Sequence, residues 1–356
     1  MSPRTRAMLE EAVLPPLVAL VVALVAGDLL IVTYGQAPGD VWRTLVEGTW
    51  GNSYGFGQVL YKATTLTCTG LAVAIGLRAG LFNIGAEGQL AAGGFGAGLT
   101  GLLLPAGTPA VIAVTLCVFA AVVAGGAVGA VAGGLRARFG AHEVIVTIMT
   151  NFIVLALLNY FVSAKLHVPE TLHTPDVHAG SVARLSSAFS AFHGSAANWT
   201  VAIALVVAVA TSVFLFRSRA GYELRAVGLQ PDAAGYAGIR AECVWFTTLT
   251  LSGALAGLGG INFVLGYKHY YEDGFTGGAG FLGIAVALIG RNNPLGVVLA
   301  ALFFATLSQG GLAINAMVPK QMVEVLQGIV IIAVAAAVPE VRRVLQSAVS
   351  RRRTAG

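Results

Sequence analysis

An all-α membrane protein is the fold class that this sequence predicts, and three observations predict it. Of its 356 residues, 56% are hydrophobic and only 10% are charged, and its mean hydropathy is +0.81, far above that of an ordinary soluble domain. Apolar runs recur at the roughly 20 residues that a bilayer crossing requires. The 46 glycines cluster inside those runs, as in GGFGAG at 93–98, GGAVGAVAGG at 125–134 and GGAG at 277–280, where they let helix backbones approach closely and supply unusual backbone angles near breaks. A bundle of about ten transmembrane helices with discontinuous segments follows, as a single transmembrane domain over 1–356.

The first run, 13–33, follows Arg4 and Arg6 as a signal sequence would. It is long, however, and no small-x-small cleavage site precedes Gln36, so it reads as a retained anchor. Further runs lie at 57–77, 81–104, 110–134 and 143–163. A polar segment, 164–198, carries Pro169, Pro175 and four histidines. The run 199–216 leads into the charged segment 217–242, and runs at 243–264, 294–316 and 322–338 close the chain. A short apolar piece, 279–290, makes the tenth span if it crosses. Both termini then share a face with 15 of the 21 basic residues, and the positive-inside rule makes that face cytoplasmic. By the same rule 164–198 is external and 217–242 cytoplasmic. Four spans on either side of 199–216 enter the membrane from opposite faces, the pattern of inverted repeats with a substrate path between them.

The net charge of +5 is spread over short loops rather than gathered into a patch, so nucleic acid is no partner. Cys68, Cys117 and Cys243 lie in predicted spans without paired spacing and read as packing residues. His167, His173 and His178 are too loosely spaced for a metal site. No G-x-S-x-G or H-E-x-x-H arrangement is present, and the lack of any Gly-Lys pair excludes a Walker A phosphate loop.

Chemistry concentrates in three places. GLFNIGAEGQLAAGG, 80–94, sets Asn83, Glu87 and Gln89 in an apolar, glycine-rich run. A carboxylate on the lipid face would cost a few kcal/mol or more, so Glu87 points at a cavity or at protein. Two readings stand: a pathway or gating role for the three side chains, or a buried hydrogen-bond network that holds a helix break. Asn151 and Asn159, eight residues apart on one span, either line the same path or bond across helices. In GYELRAVGLQPDAAGYAGIRAE, 221–242, Gly228 and Pro231 interrupt helical flanks, and Asp232 begins a short helix with Tyr236 on a compact face of alanines. Glu223, Arg225, Gly228, Pro231, Asp232 and Tyr236 form either a docking element for a partner or a plain connector. Tyr267, Tyr270 and Tyr271 beside Lys268 look like an interfacial aromatic belt, with an external gate as the alternative.

At these residues a resemblance becomes specific. LFNIGAEGQL (81–90), RFGAHEVIVTIMTNFI (138–153), ELRAVGLQPDAAGYAGI (223–239) and GFLGIAVALIGRNNPLGVVLAALFFA (280–305) resemble the permease subunit of bacterial nucleoside importers of the ATP-binding-cassette (ABC) class, within the wider group of ribose-type and branched-chain amino-acid permeases. The likeness covers about 60–338. It implies a type II importer architecture whose cytoplasmic loop supplies the coupling helix. It also implies a separate ATPase subunit that hydrolyses ATP, a second permease, identical or homologous, and an external solute-binding lipoprotein, with no cofactor on this chain itself. The multi-pass protein would then lie in the bacterial plasma membrane among lipid. A proton-coupled secondary transporter using Glu87 as carrier fits the repeats equally well but has no obvious use for an ordered 221–242 loop. A membrane enzyme would need a nucleophile or metal constellation, and none is present in the sequence.

Overall fold

The computed structural model describes Val21 and residues 24–333. The remaining parts of the expected spans 13–33 and 322–338 lie outside these described residues, as do Arg4, Arg6 and the basic residues after 333. Among the described residues the chain is helical and has no strand beyond two isolated bridges. In chain order the helices are α1 (Leu24–Thr33), α2 (Pro38–Thr49), α3 (Ser53–Arg78), α4 (Ala86–Leu103), α5 (Ala110–Phe139), α6 (Glu143–Phe161) and α7 (Thr200–Arg217). They continue as α8 (Arg219–Leu229), α9 (Pro231–Tyr236), α10 (Ala241–Gly259), α11 (Ile261–Val264), α12 (Ala279–Ile289), α13 (Pro294–Ala313) and α14 (320–333).

Among the described residues, six segments are long and apolar enough to cross a membrane: α3, α5, α6 with its wider-wound extension to Leu166, α7, α10 with α11, and α13. The expected run 81–104 begins instead with a non-helical stretch, and α4 starts only at Ala86. Glu87, Gln89 and the glycines dilute its apolar character. Helix α12 has 11 residues, about 16 Å at the α-helical rise, roughly half the hydrocarbon thickness.

The chain forms two compact units, Met1–Asn52 with Thr306–Gly356, and Ser53–Ala305. In the first, α2 buries Val41, Leu45 and Thr49, the Trp42 indole donates to Asp28 Oδ1 at 2.7 Å, and Leu45 packs onto Gly310.

In the second unit α10 is the central element, packed against α3, α4 and α5. Its Gly253 and Gly257 meet Gly125 and Gly129 of α5 backbone to backbone, a contact that any side chain would prevent. Helix α6 instead exposes Met149, Phe152, Ile153 and Leu157, the apolar surface that suits lipid or another helix. Tyr271 departs from the expected aromatic belt. It is buried, with its ring edge-on to Phe95 and Phe275, whereas Tyr267 and Tyr270 are only partly covered.

Candidate functional site: two helix breaks and an exposed short helix

Leaving a helix frees backbone donors and acceptors that must find partners inside the protein. After α3 the chain turns at Gly80 (φ +73°), and residues 79–85 run outside any helix. Asn83 closes this first break. Its Oδ1 accepts from Gly85 N at 2.9 Å, and its Nδ2 donates to Gln89 Oε1 at 2.8 Å and to Ser252 Oγ of α10 at 2.7 Å. The Ser252 hydroxyl passes on to Ala72 O of α3 at 2.6 Å. From α6, Asn151 donates to Ile84 O at 2.7 Å and accepts from Gly88 N at 2.8 Å. Thr147 Oγ1 accepts from Ile84 N at 3.2 Å, so both backbone groups of Ile84 are satisfied by α6 side chains.

Glu87 stands in the first turn of α4 and reaches the start of α12, accepting from Gly278 N at 3.0 Å and from Gly280 N at 2.7 Å. The φ of Gly278, +81°, aims its N–H at the carboxylate from a backbone region that side chains disfavour. A Cβ on Gly280 would collide with the backbone of Ala86 and Glu87. Two helix N-termini therefore meet, and a carboxylate between them is stabilised by two N–H groups at the start of α12 and by both helix dipoles.

Of the five predicted path residues, Asn83, Glu87, Gln89 and Asn151 come together and are buried, each bonded to protein. Asn159 does not join them. It is exposed and donates to Asp273 Oδ2 at 2.7 Å. Sequence reasoning missed Thr147 and Ser252, and it missed a second network. Beyond α10, Asn262 Nδ2 donates to Tyr61 O at 2.8 Å and Thr65 Oγ1 at 2.9 Å of α3. Its Oδ1 accepts from Asn198 at 3.0 Å and from Thr200 at 2.8 Å. An available signal was the asparagine soon after a glycine step: Asn83 follows Gly80, and Asn262 follows Gly259 and Gly260.

The polar segment 164–198 lies against 265–278. Thr174 N donates to Tyr271 O at 2.8 Å and Val177 N to His269 O at 2.7 Å. His173 stacks on Tyr270 at 4.2 Å between ring centroids, and hydrogen bonding with Tyr270 holds the Lys268 ammonium above its usual range.

In 217–242, Ser218 caps α8 by accepting from Gly221 N at 3.0 Å. Glu223 pairs with Arg219 at 2.9 Å, and the Arg225 guanidinium lies over Phe216 at 5.5 Å. Gly228 does not interrupt this helix. Lacking a side chain, it lets α8 pack directly on the backbone of Arg78 and Ala79 at the end of α3. Pro231 opens α9 at its first position, with Asp232 in the first turn. Gly238 (φ +81°) follows the helix, and Ile239 N returns to Ala234 O at 3.0 Å. Tyr236 projects from α9 with 95% of its surface exposed and Leu229 with 85%. Asp232, Tyr236, Arg240 and Trp245 help line an open cleft of about 720 Å³.

Residues 55–335 match the family described as branched-chain amino acid transport system / permease component. The chain is 38% identical over 326 residues to the guanosine ABC transporter permease protein NupP of Bacillus subtilis, covering 90% of this chain and 92% of that protein. It is 32% identical over 330 residues to the nucleoside ABC transporter permease protein NupB of Lactococcus lactis, covering 91% and 90%. It is 34% identical over 329 residues to the glucose ABC transporter permease protein TsgB13 of Haloferax volcanii, covering 89% and 85%. No solved structure matches it. A family match over most of the chain, on a helical fold with several membrane-length segments, leaves one identification: the chain belongs to the branched-chain amino acid permease family of ABC transport systems, as a multi-pass membrane permease subunit and not an enzyme.

Proposed function

We propose that this permease carries nucleosides inward across the plasma membrane. The observation that carries the reading is the 38% identity with a guanosine permease, matched over 92% of that relative's length. An uncharged nucleoside also suits a protein whose buried polar groups, among the described residues, are amides, hydroxyls and one carboxylate rather than a ring of fixed charge. The whole chain acts as one transmembrane domain of about ten spans, with inverted repeats and cytoplasmic termini. Asn83, Glu87, Gln89 and Asn151 build the wall of the path by fixing the first break, and Asn159 stands at its external end. A second permease chain completes the path and an external solute-binding lipoprotein delivers the substrate. ATP is hydrolysed on a partner subunit, which docks on the cytoplasmic segment 217–242. There α9 presents Tyr236 to the partner, while Glu223, Arg225, Gly228, Pro231 and Asp232 hold α9 in place.

The test is uptake by the assembled complex in proteoliposomes. Labelled guanosine is expected to enter with ATP, and Tyr236→Asp is expected to lower uptake tenfold or more while ATP hydrolysis continues and the permease keeps its melting temperature, since docking depends on a few desolvated anchors. Saturable uptake of glucose in place of guanosine would move the substrate to the sugar class. Uptake driven by a pH gradient without the ATPase would overturn the reading altogether.

A further inference from the structure

The two networks are reciprocal. Asn83, beyond the C-terminus of α3, grips Ser252 of α10, and Asn262, beyond the C-terminus of α10, grips Thr65 of α3. Gly259 lies beside Cys68 and Ser252 beside Ala72, so the helices run antiparallel and the two grips, at Ala72 and at Thr65 of α3, sit at two levels along the pair. Asn262, Asn198 and Thr200 are all buried, and both hydrogen-bonding atoms of the Asn262 amide group are used: Nδ2 donates two bonds, and Oδ1 accepts from Asn198 and shares the single Thr200 hydroxyl proton with Asn198 Oδ1. A saturated buried network of this kind is costly to open, because each group released loses its partner in a region without water.

We propose that Asn262 is a positioning residue for transport. Together with Asn83 it pins α3 and α10 at two levels, so that the pair keeps its register while the path opens to either face. Asn262 touches no substrate and acts through Thr65, Tyr61 and Asn198. The inference rests on the transport reading above. Neither asparagine can be spared, because each holds the pair at a different level.

A native thiol makes the pinning testable. A Cβ built on Gly259 lies 3.2 Å from Cys68 Cβ and 3.1 Å from the tip of Leu90, close to the separation that a disulfide spans. In Gly259→Cys, copper–phenanthroline oxidation is expected to join α3 to α10, verified by mass, with uptake in the assembled complex staying within twofold of the reduced sample. Loss of uptake on oxidation, restored by dithiothreitol, would show that the helices must move apart and would overturn the proposal.

A second comparison covers the case in which Gly259→Cys does not assemble. Thr65→Val removes the acceptor while keeping the shape, and is expected to lower maximal uptake about tenfold with KM within twofold. Thr65→Ser restores the hydroxyl and is expected to return near wild-type uptake. Wild-type rates for Thr65→Val, or a change in KM alone, would remove Asn262 from the role. If the wild-type complex takes up no nucleoside, the functional reading fails separately. ATP hydrolysis by the same complex, cross-linked or carrying Thr65→Val, then reads the pinning: unchanged hydrolysis on cross-linking supports it, and abolished hydrolysis refutes it.

Discussion

The break after α3 and the break after α10 are both closed by an asparagine, yet they are supported differently. The first takes seven residues, 79–85, out of helical geometry, and it draws on Ser252 of α10, Thr147 and Asn151 of α6, and Glu87 toward α12. The second is a turn at Gly260 from which α11 resumes at once, and Asn262 with the start of α7 suffices. A longer break frees more backbone groups, and each needs a partner where water is absent. Only the first contains a carboxylate. There two helix N-termini converge and donors are in excess, whereas around Asn262 the amide oxygens share the single Thr200 hydroxyl proton and no donor calls for a carboxylate.

If that difference in donor balance is what matters, the largest effect falls on Glu87. Glu87→Leu leaves the N–H groups of Gly278 and Gly280 unpaired, at about 1–3 kcal/mol each. It is expected to abolish nucleoside uptake at matched expression and to lower the detergent melting temperature by several degrees. Glu87→Gln keeps one acceptor but turns an NH2 toward a backbone donor, so an intermediate loss is expected. Full activity in Glu87→Leu would reduce the carboxylate to a tolerated polar group, and abolition by Glu87→Gln with stability intact would point to a required charge.

Close approach separates the two breaks next. Gly280 faces the backbone of Ala86 and Glu87, while Gly266 faces the side chain of Asn198. Backbone in a packed helix yields less than a side chain does. Gly280→Ala is therefore expected to lose most folded protein, measured by size-exclusion yield, and Gly266→Ala to lose less while weakening the Asn198–Asn262 bond. Equal yields would mean that the second break is as rigidly built as the first.

The smallest effect is expected toward the C-terminal end of α6. Asn151→Leu removes the partners of Ile84 O and Gly88 N and should resemble Glu87→Leu in kind, with a thermal shift of about half its size. Asn159→Leu breaks one exposed bond to Asp273 and is expected to stay within about 0.5 kcal/mol, as surface substitutions usually do. A larger cost for Asn159→Leu would show that this rim is buried in the assembly.

The sequence by itself determined the fold class, the order of the apolar segments and the polar run 80–94, because burial in a bilayer writes composition and span length directly into the chain. It also placed a short helix beginning at Asp232, one residue after its observed start at Pro231, since helix starts are local. It placed the start of α4 too early and read Gly228 as an interruption, because the first depends on which residues α6 and α10 hold outside the helix and the second on the approach of α3. Only the tertiary structure decided the partner of Glu87: Gly278 and Gly280 lie 191 and 193 positions away. The same holds for the reciprocity of Asn83 and Asn262. A side chain's residue type fixes how many hydrogen bonds it needs, but its partner is whatever group the packing of distant helices brings within about 3 Å.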